Sequence, residues 1–222
     1  MPIHVGEGSG GLVEIAGVQV GNAAGGLDEI AKVWEYRSGV WVELWAPAAG
    51  VPSQTATFTA ANTTAVYQPP AGPTRLVMIA LGAGGAGGTA EVDERSNGGE
   101  AGKWAGLTLY APFLPQYYVY VGVGASSAGQ ASRISDSSGV DAVRILSAAG
   151  GRAGAARSYD GASPGSYNYG GVTRYGGTGG KGYSHIWGDD ATAPGAGGGG
   201  AGDDNSGGRG SRGQVWITAF FD

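Results

Sequence analysis

Cysteine is absent from the 222-residue sequence, and histidine occurs only at His4 and His185. Disulfides and zinc–thiolate sites are therefore excluded, and the redox compartment stays undetermined. Charged residues make up only 14% of the chain, with a net charge of −5. This argues against nucleic acid as a partner, because nucleic-acid binders usually present a basic face. No apolar run approaches the roughly 20 residues that cross a bilayer as a helix, so we expect no membrane insertion.

The first residues, MPIHVGEGSGG, carry neither a basic segment nor an apolar run. They therefore lack the features of a secretory signal peptide. If the protein acts outside a cell, we expect it to be made in the cytoplasm and to leave in a particle released by lysis.

Glycine is the abundant residue, with 47 copies, and 10 prolines add to it. Together they reach about a quarter of the chain, a level often seen in disordered sequences. However, 41% of residues are hydrophobic, and they form strand-sized runs such as LVMIAL, YYVYVGV and QVWITAFF. Disordered chains lack such runs. Each glycine costs about 1 kcal/mol against alanine in a helix. We therefore predict an all-β fold: a small N-terminal β module followed by a glycine-rich, β-sandwich-like domain with polyglycine-II-like segments.

Residues 1–46 form the predicted N-terminal module. VEIAGVQVG (Val13–Gly21) recurs as DEIAKVWEY (Asp28–Tyr36), and VWVELW (Val40–Trp45) follows a Ser-Gly turn. This alternation suits half-buried strands, and the turn favours a hairpin. So few short strands make a marginal sheet alone, so we expect the module to dock on a partner or on its own copies. Residues 47–54, with two prolines, are predicted to be a semi-extended linker.

Residues 55–222 form the predicted large domain, with a bend from Tyr67 to Pro73. Their turn chemistry and their β-branched and aromatic content suggest a β-sandwich. The strand candidates are TATFTA, Arg75–Leu81, Trp104–Tyr110, Tyr117–Val123, Ala131–Ile134, Val143–Ala148 and Gln214–Phe220.

The glycine tracts between these runs partly keep a period of three. The rows are Gly82, Gly85 and Gly88, then Gly176, Gly179 and Gly182, then Gly207, Gly210 and Gly213. A polyproline-II-like helix has three residues per turn, so such glycines line one face and let backbones approach closely. The alternative is that the tracts are flexible turns between strands. The sequence leaves both open.

The motifs that suggest chemistry are weak. Residues 82–87 match G-x-G-x-x-G after a strand, but no amphipathic helix follows to hold a phosphate, so no cofactor is expected. Neither Gly102-Lys103 nor Gly180-Lys181 is followed by the Ser or Thr of a phosphate loop. The arginine–glycine segment 207–213 is short and follows two aspartates, which favours a structural turn over RNA binding.

Metal and catalytic sites are no better supported. One histidine and four aspartates could gather around a cation, because oxygen ligands suit calcium, but they lack a loop of fixed ligand spacing, and solvated turns are the default. These side chains are His185, Asp189, Asp190, Asp203 and Asp204. No G-x-S-x-G occurs in a strand–turn–helix setting. A spatial pair of carboxylates for glycoside hydrolysis stays possible from sequence. We predict no metal, no catalytic residues and no enzyme activity.

The stretch from Tyr159 to Trp187 places aromatic residues among residues too small to bury them. Tyr and Trp offer a flat apolar face with a polar tip, which suits recognition. The alternative is that these rings cover and stiffen glycine backbone. The predicted receptor- or glycan-binding residues are Tyr159, Tyr167, Asn168, Tyr169, Arg174, Tyr175, Tyr183, His185, Trp187 and Asp189.

Several pieces of the chain occur in a recognisable order. After VWVELW come Phe58, Tyr67, Pro70, Gly72, LVMIALGAGGAGG, YYVYVGVGA and the closing APGAGGGGAG through GGRGSRGQVWITAF. This order resembles the glycine-rich minor tail proteins of actinobacterial siphophages, across nearly the whole chain. A more distant resemblance is to fibre-tip adhesins of contractile-tailed phages, which pack polyglycine helices in layers. The N-terminal module and the interspersed β-runs depart from that second pattern.

The resemblance implies a virion protein at the tail tip or on a fibre, probing the host surface without catalysis. The partners that it implies are other phage tail proteins, a host cell-surface glycan or envelope component, and two sister copies in a homotrimer. Two alternatives remain from the sequence: a tail-associated carbohydrate-active enzyme, and a cellular glycine-rich binding or matrix protein.

Overall fold

A computed structural model describes residues 51–221 apart from 90–94, 140–141 and 157, and, before residue 51, the strand segments alone. The chain divides into two compact units, Met1–Val51 and Pro52–Asp222. Of the expected linker, residues 47–50 lie outside the described residues, and residues 51–54 belong to a strand. None of the described residues forms a helix with the length and apolar character to cross a membrane.

In the first unit the described strands are antiparallel pairs. They are β1 (Ile3–Gly6) with β2 (Leu12–Ile15), β3 (Gln19–Gly21) with β4 (Leu27–Glu29), and β5 (Val33–Arg37) with β6 (Val40–Trp45). The hairpin predicted around the Ser-Gly turn is confirmed, because Arg37 pairs with Val40. Each half of the predicted repeat is divided between two strands.

The second unit contains the strands that build the sandwich and its cover. They are β7 (Val51–Phe58), β8 (Thr64–Tyr67), β9 (Arg75–Leu81), β10 (Trp104–Tyr110), β11 (Tyr117–Tyr120), β12 (Ser132–Ser135), β13 (Arg144–Ala148), β14 (Ser166–Tyr169), β15 (Val172–Tyr175) and β16 (Gln214–Phe221). The all-β prediction is confirmed in the described residues. The predicted candidates β9 and β10 have the observed bounds, whereas β8, β14 and β15 were not predicted.

Two four-stranded sheets of these strands face each other. The first sheet has the order β10-β9-β16-β7 and the second the order β13-β12-β11-β8. The core between them contains Leu76 and Met78 from β9 together with Val119 and Ile134 from the second sheet, each at most 1% exposed. Burial of such side chains contributes roughly 1.5–3 kcal/mol each, which makes this layer the main apolar contribution to folding.

Strand β9 is buried on both of its faces, and this explains why it reads as an uninterrupted apolar run. Successive side chains of a strand point to opposite faces. Met78 lies in the sandwich core, whereas Val77, Ile79 and Leu81 lie in a second apolar cluster with Trp216. The β14–β15 hairpin packs over that cluster, so the domain has three layers at this point.

Beyond one end of the sandwich the chain forms what we call the glycine bundle. Its extended segments are 82–88, 95–103, 122–130, 149–154, 159–165, 176–183, 187–192, 195–202 and 206–213. The base of the bundle adjoins the sandwich, because residue 82 follows β9, residue 103 precedes β10 and residue 213 precedes β16. The opposite end, near residues 88, 184 and 202, we call the tip.

Backbone hydrogen bonds inside the bundle repeat every three residues. In the 82–88 segment, the N–H groups of Gly82, Gly85 and Gly88 donate to carbonyls of residues 97–103. Those of Ala83 and Ala86 donate to residues 127–130, and those of Gly84 and Gly87 donate to residues 208–211. A segment whose backbone bonds in turn to three neighbouring segments has the pattern of a helix with three residues per turn and no internal hydrogen bonds. The choice left open by the sequence is thereby decided, because these tracts are packed segments.

The 195–202 segment is the centre of the bundle. Among the described residues, backbone hydrogen bonds join it to segments 82–88, 95–103, 159–165, 176–183, 187–192 and 206–213. All of its residues are buried. Buried backbone groups must find partners, and here neighbouring backbone supplies them in place of a β ladder.

Glycine is required in this packing because the neighbours are backbone atoms. A Cβ on Gly197, Gly198, Gly199 or Gly200 would lie 1.9–2.0 Å from a carbonyl oxygen of another segment. In the predicted rows, Gly179 and Gly182 face backbone of residues 159–161, and Gly207, Gly210 and Gly213 face backbone of residues 81–88, whereas Gly176 faces the Pro164 ring. The period of three therefore marks which face of each segment touches its neighbour.

Candidate functional site

The ten predicted binding residues fall into two places in the second unit. Tyr167, Asn168, Tyr169, Arg174 and Tyr175 belong to the β14–β15 hairpin, and Tyr159, Tyr183, His185, Trp187 and Asp189 lie at or near the tip of the bundle. The two groups have different surroundings, so each is described separately.

Tyr167 and Tyr169 are half-buried and pack against the first sheet. Tyr167 stacks on Trp104 with ring centroids 5.5 Å apart, and Trp104 stacks on Trp216 at 5.8 Å. The Tyr169 ring covers Gly106, where an added Cβ would lie 2.5 Å from the ring. Stacked aromatic pairs contribute about 0.5–1.5 kcal/mol beyond their buried area. These rings cover the second face of the first sheet, which corresponds to the covering role that the sequence left open for them.

Asn168 and Arg174 hold the hairpin in place. Asn168 Nδ2 donates to Thr173 Oγ1 across the hairpin at 2.9 Å. Arg174 Nη2 donates to Thr218 Oγ1 at 3.2 Å and to Thr55 Oγ1 at 3.3 Å. Burial lowers the pKa of Arg174, because desolvation disfavours its charged form. Tyr175, by contrast, is 71% exposed at the end of β15.

At the tip, the backbone places the other candidates around one end of the central segment. The Gly200 N–H donates to Tyr159 O at 2.8 Å, and the Tyr183 N–H donates to Gly200 O at 3.1 Å. Close to the same end, an added Cβ on Gly202 would lie 2.1 Å from Ser184 O. The loops that carry these side chains are therefore attached by backbone hydrogen bonds and close packing to the central 195–202 segment.

Large apolar side chains are exposed at this tip. Trp187 is 66% exposed, Ile186 53% and Tyr159 45%. The guanidinium of Arg95 lies over the Tyr159 ring, 5.3 Å from its centroid. Scattered exposed apolar residues are ordinary on a protein surface, but a group of them with polar neighbours is typical of an interaction surface.

Polar contacts fix the side chains between these rings. Tyr183 OH donates to Asp189 Oδ2 at 3.0 Å, and this hydrogen bond raises the pKa of Tyr183 by favouring its neutral form. His185 Nδ1 contacts Asp203 Oδ2, and the imidazole is largely exposed. Asp160 Oδ1 accepts a hydrogen bond from the Gly182 N–H at 2.8 Å. Carboxylates with exposed oxygens beside flat rings form a surface able to bind hydroxyl groups.

The backbone turn next to His185 is strained. Asp203 and Asp204 both have positive φ, at 52° and 60°. Such conformations are uncommon outside glycine, although Asp and Asn adopt them more readily than other residues. Asn205 Nδ2 steadies the turn by donating to Gly202 O and Asp203 O. Strained backbone of this kind is concentrated at functional sites, which draws attention to the tip.

The acidic side chains do not converge on one point. Across the described residues, no three His, Asp or Glu side chains come together in a way that could hold a metal ion. Asp190 Oδ1 instead accepts from the Arg209 N–H at 2.6 Å. The amides of the 82–87 motif donate to carbonyls of other segments, so they are not free to cradle a phosphate.

One group of exposed and half-buried polar side chains was not predicted. It lies on the second sheet, where Tyr118 and Tyr120 of β11 flank Arg133 of β12. The alternation in YYVY is a signal that Tyr118 and Tyr120 share one face. Arg133 and Arg144 come from other strands, and only the strand register brings them to that face.

Sandwich, cover and bundle together define an all-β domain packed largely by glycine backbone. The chain belongs to the glycine-rich domain family, which matches residues 59–171, about half of its length. No curated protein matches the sequence.

Proposed function

We propose that this chain is a structural protein of a bacteriophage tail, at the tip or on a fibre, and that it binds a host cell-surface component without catalysing a reaction. The observation that carries the binding role is the exposure of Trp187, Ile186 and Tyr159 on a tip held by packed backbone. The tail location is supported by the order of sequence motifs described above.

A rigid tip favours binding for an energetic reason. Side chains and loops that must be ordered on binding reduce affinity, at about 0.5–1.5 kcal/mol per immobilised side chain. Here Tyr183 is held by Asp189, and the loop backbone is bonded to Gly200. Little ordering is then left for the moment of binding.

The preferred target is an uncharged glycan of the cell envelope. Sugar rings stack on Trp and Tyr faces, and carboxylates accept hydrogen bonds from sugar hydroxyls. Asp160, Asp189 and Asp203 make the tip acidic, which disfavours an anionic target at this end. In the proposed assembly the first unit docks on other tail proteins or on sister copies. A homotrimer would present three tips, so weak individual sites would act together.

Substitutions at the tip test the binding role. Exposed aromatic residues that dominate an interface contribute 2 kcal/mol or more, which corresponds to roughly a 30-fold change in Kd. Trp187→Ala is therefore expected to weaken binding of the full chain to actinobacterial cell-wall fragments by about that factor. Tyr175→Ala is the matched control, because Tyr175 is equally exposed but belongs to the hairpin.

Two results would contradict the proposal. Equal binding by Trp187→Ala and Tyr175→Ala would reject the tip as the contact surface. An antibody against this chain that leaves tails unlabelled in negative-stain images of phage particles would reject the virion location. Release of reducing sugar from cell walls by the purified chain would instead support the carbohydrate-active enzyme.

A further inference from the structure

The outward face of the second sheet carries a polar groove of about 350 Å³. It lies on the opposite side of that sheet from the sandwich core, and none of its lining residues belongs to the tip. The residues that matter for its chemistry are Tyr118, Tyr120, Arg133, Ser135, Ser137 and Arg144. The volume is at the lower end of the range of about 300–1,000 Å³ for small-molecule sites.

Strand register explains why these side chains meet. Tyr120 pairs with Arg133, and Tyr118 pairs with Ser135. Ser135 in turn pairs with Arg144 on β13, where the register shifts between Ile134 and Ser135. Directly opposed residues on one face of an antiparallel pair have Cβ atoms about 4.5–5.5 Å apart, so their side chains interact.

The groove is partly preorganised. The guanidinium of Arg133 lies over the Tyr120 ring, 4.7 Å from its centroid. Tyr120 OH donates to Gln130 Oε1 at 2.5 Å, which fixes the ring under that cation. Tyr118 OH accepts a hydrogen bond from Gln116 Nε2 at 2.6 Å. Both phenols are thus held in position from the side of the sheet.

The groove is positively charged although the chain is acidic overall. Two guanidinium groups line it, and none of its described lining residues is a carboxylate. In the loop that follows β12, Asp136 lies in sequence between the lining residues Ser135 and Ser137, and its Oδ1 accepts a hydrogen bond from the Val143 N–H. Within the described part of the chain, no acceptor is bonded to the guanidinium of Arg133 or Arg144.

We propose that this groove binds a sugar that carries a carboxylate or a phosphate. Guanidinium groups bind such anions through paired, charge-assisted hydrogen bonds. The Tyr118 hydroxyl, which accepts a hydrogen bond from Gln116, can still donate one to a sugar hydroxyl, and the exposed Ser137 hydroxyl can do the same. This site does not rest on the proposed role of the tip, and it takes the opposite class of ligand.

Titration of the full, isotope-labelled chain with four compounds tests the assignment by NMR. Glucuronate and glucose 6-phosphate supply the two anionic groups on a sugar, glucose supplies the ring alone, and inorganic phosphate supplies the charge alone. We expect either anionic sugar to shift the resonances of Tyr118, Tyr120 and the Arg133 side chain. Glucose and inorganic phosphate should bind at least tenfold more weakly.

Charge-matched double variants supply the control. Arg133→Gln with Arg144→Gln is expected to raise the Kd for the anionic sugar at least tenfold. Arg152→Gln with Arg209→Gln removes the same charge from exposed positions elsewhere and should leave it unchanged. If the first pair fails to fold, judged by its amide spectrum, Arg144→Gln alone replaces it.

Several outcomes would overturn the proposal. Glucose binding as tightly as glucuronate, phosphate binding as tightly as glucose 6-phosphate, or equal losses in both double variants would each do so. Trp187→Ala should leave glucuronate binding intact, which separates this site from the tip. Failure of tip binding with retained glucuronate binding would reject only the proposed function.

Discussion

Placing a single methyl group at Gly84 should destabilise the domain strongly. An added Cβ there would lie 1.9 Å from the carbonyl oxygen of Ala196 and 2.3 Å from its carbonyl carbon. These are backbone atoms of the central segment, so they cannot rotate away as a flexible side chain would. The substitution therefore has to separate two segments of the bundle.

The magnitude follows from three contributions. Overpacking costs about 1–3 kcal/mol, and weakening the hydrogen bond from the Gly84 N–H to Ser211 O, 2.9 Å in the native chain, costs about 1 kcal/mol. Alanine restricts the unfolded chain, which offsets about 0.4–1 kcal/mol. The expected net loss for Gly84→Ala is about 1–3.5 kcal/mol. For a domain of this size, each kcal/mol lowers Tm by about 2–4 °C.

The neighbouring residue provides the control. Ala83 is fully buried in the same segment, and its methyl group is accommodated. Ala83→Gly should cost only about 1–2 kcal/mol, from one lost methyl and a freer unfolded chain. Scanning calorimetry and urea unfolding followed by tryptophan fluorescence measure both variants. If Gly84→Ala proved as stable as the native chain, the packed-backbone account of the bundle would be refuted.

Two further predictions concern buried polar groups. Thr218→Val should cost about 1–3 kcal/mol in urea unfolding, because the half-buried Arg174 loses an acceptor, whereas Thr57→Val at an exposed site of the neighbouring strand β7 should change stability by less than about 0.5 kcal/mol. Equal effects would contradict this account of the hairpin. Burial raises the pKa of Tyr67 above its ordinary value near 10, so the unfolded chain loses that proton first and stability should fall as pH rises above about 10. Tyr67→Phe should flatten this alkaline decline, and an unchanged decline would show that other groups cause it.

The strands that could be predicted are those that combine an apolar run with clear ends. Arg75–Leu81 is bounded by a proline-rich bend and by glycine, and Trp104–Tyr110 by Lys103 and by proline two residues on. Thr64–Tyr67 was missed, because Tyr67 was assigned to the bend that follows it. Its short, mostly exposed pattern gives little apolar signal on its own.

The β14–β15 hairpin was missed although its sequence contains a recognisable signal. Gly170 and Gly171 both have positive φ, at 58° and 80°, and they join SYNY to VTRY. A two-glycine turn between alternating strands is a strong hairpin signal. Glycine is so abundant elsewhere in the chain that this turn did not stand out, and the sequence left open whether the tyrosines bind a receptor or cover glycine backbone.

The period-three rows could be read from the sequence, but their partners could not. Gly210 faces Gly84, and Gly179 faces Gly161, through contacts between segments far apart in the chain. Backbone-to-backbone packing leaves no side-chain pattern that identifies the neighbour. The groove residues Arg133 and Arg144 were missed for a related reason, since β-sheet register rather than spacing brings them together.

The position of residues 195–221 has a consequence for the order of assembly during synthesis. Residues 195–202 are the centre of the bundle, and β16 lies between β9 and β7 in the first sheet. A ribosome synthesises both of them after β7, β9 and the earlier bundle segments to which they are hydrogen-bonded. Until then, the backbone groups of segments 82–88, 95–103 and 159–165 that bond to the later stretch have no partner there. Contacts between distant parts of a chain slow folding, so the nascent domain should stay protease-sensitive until this stretch emerges.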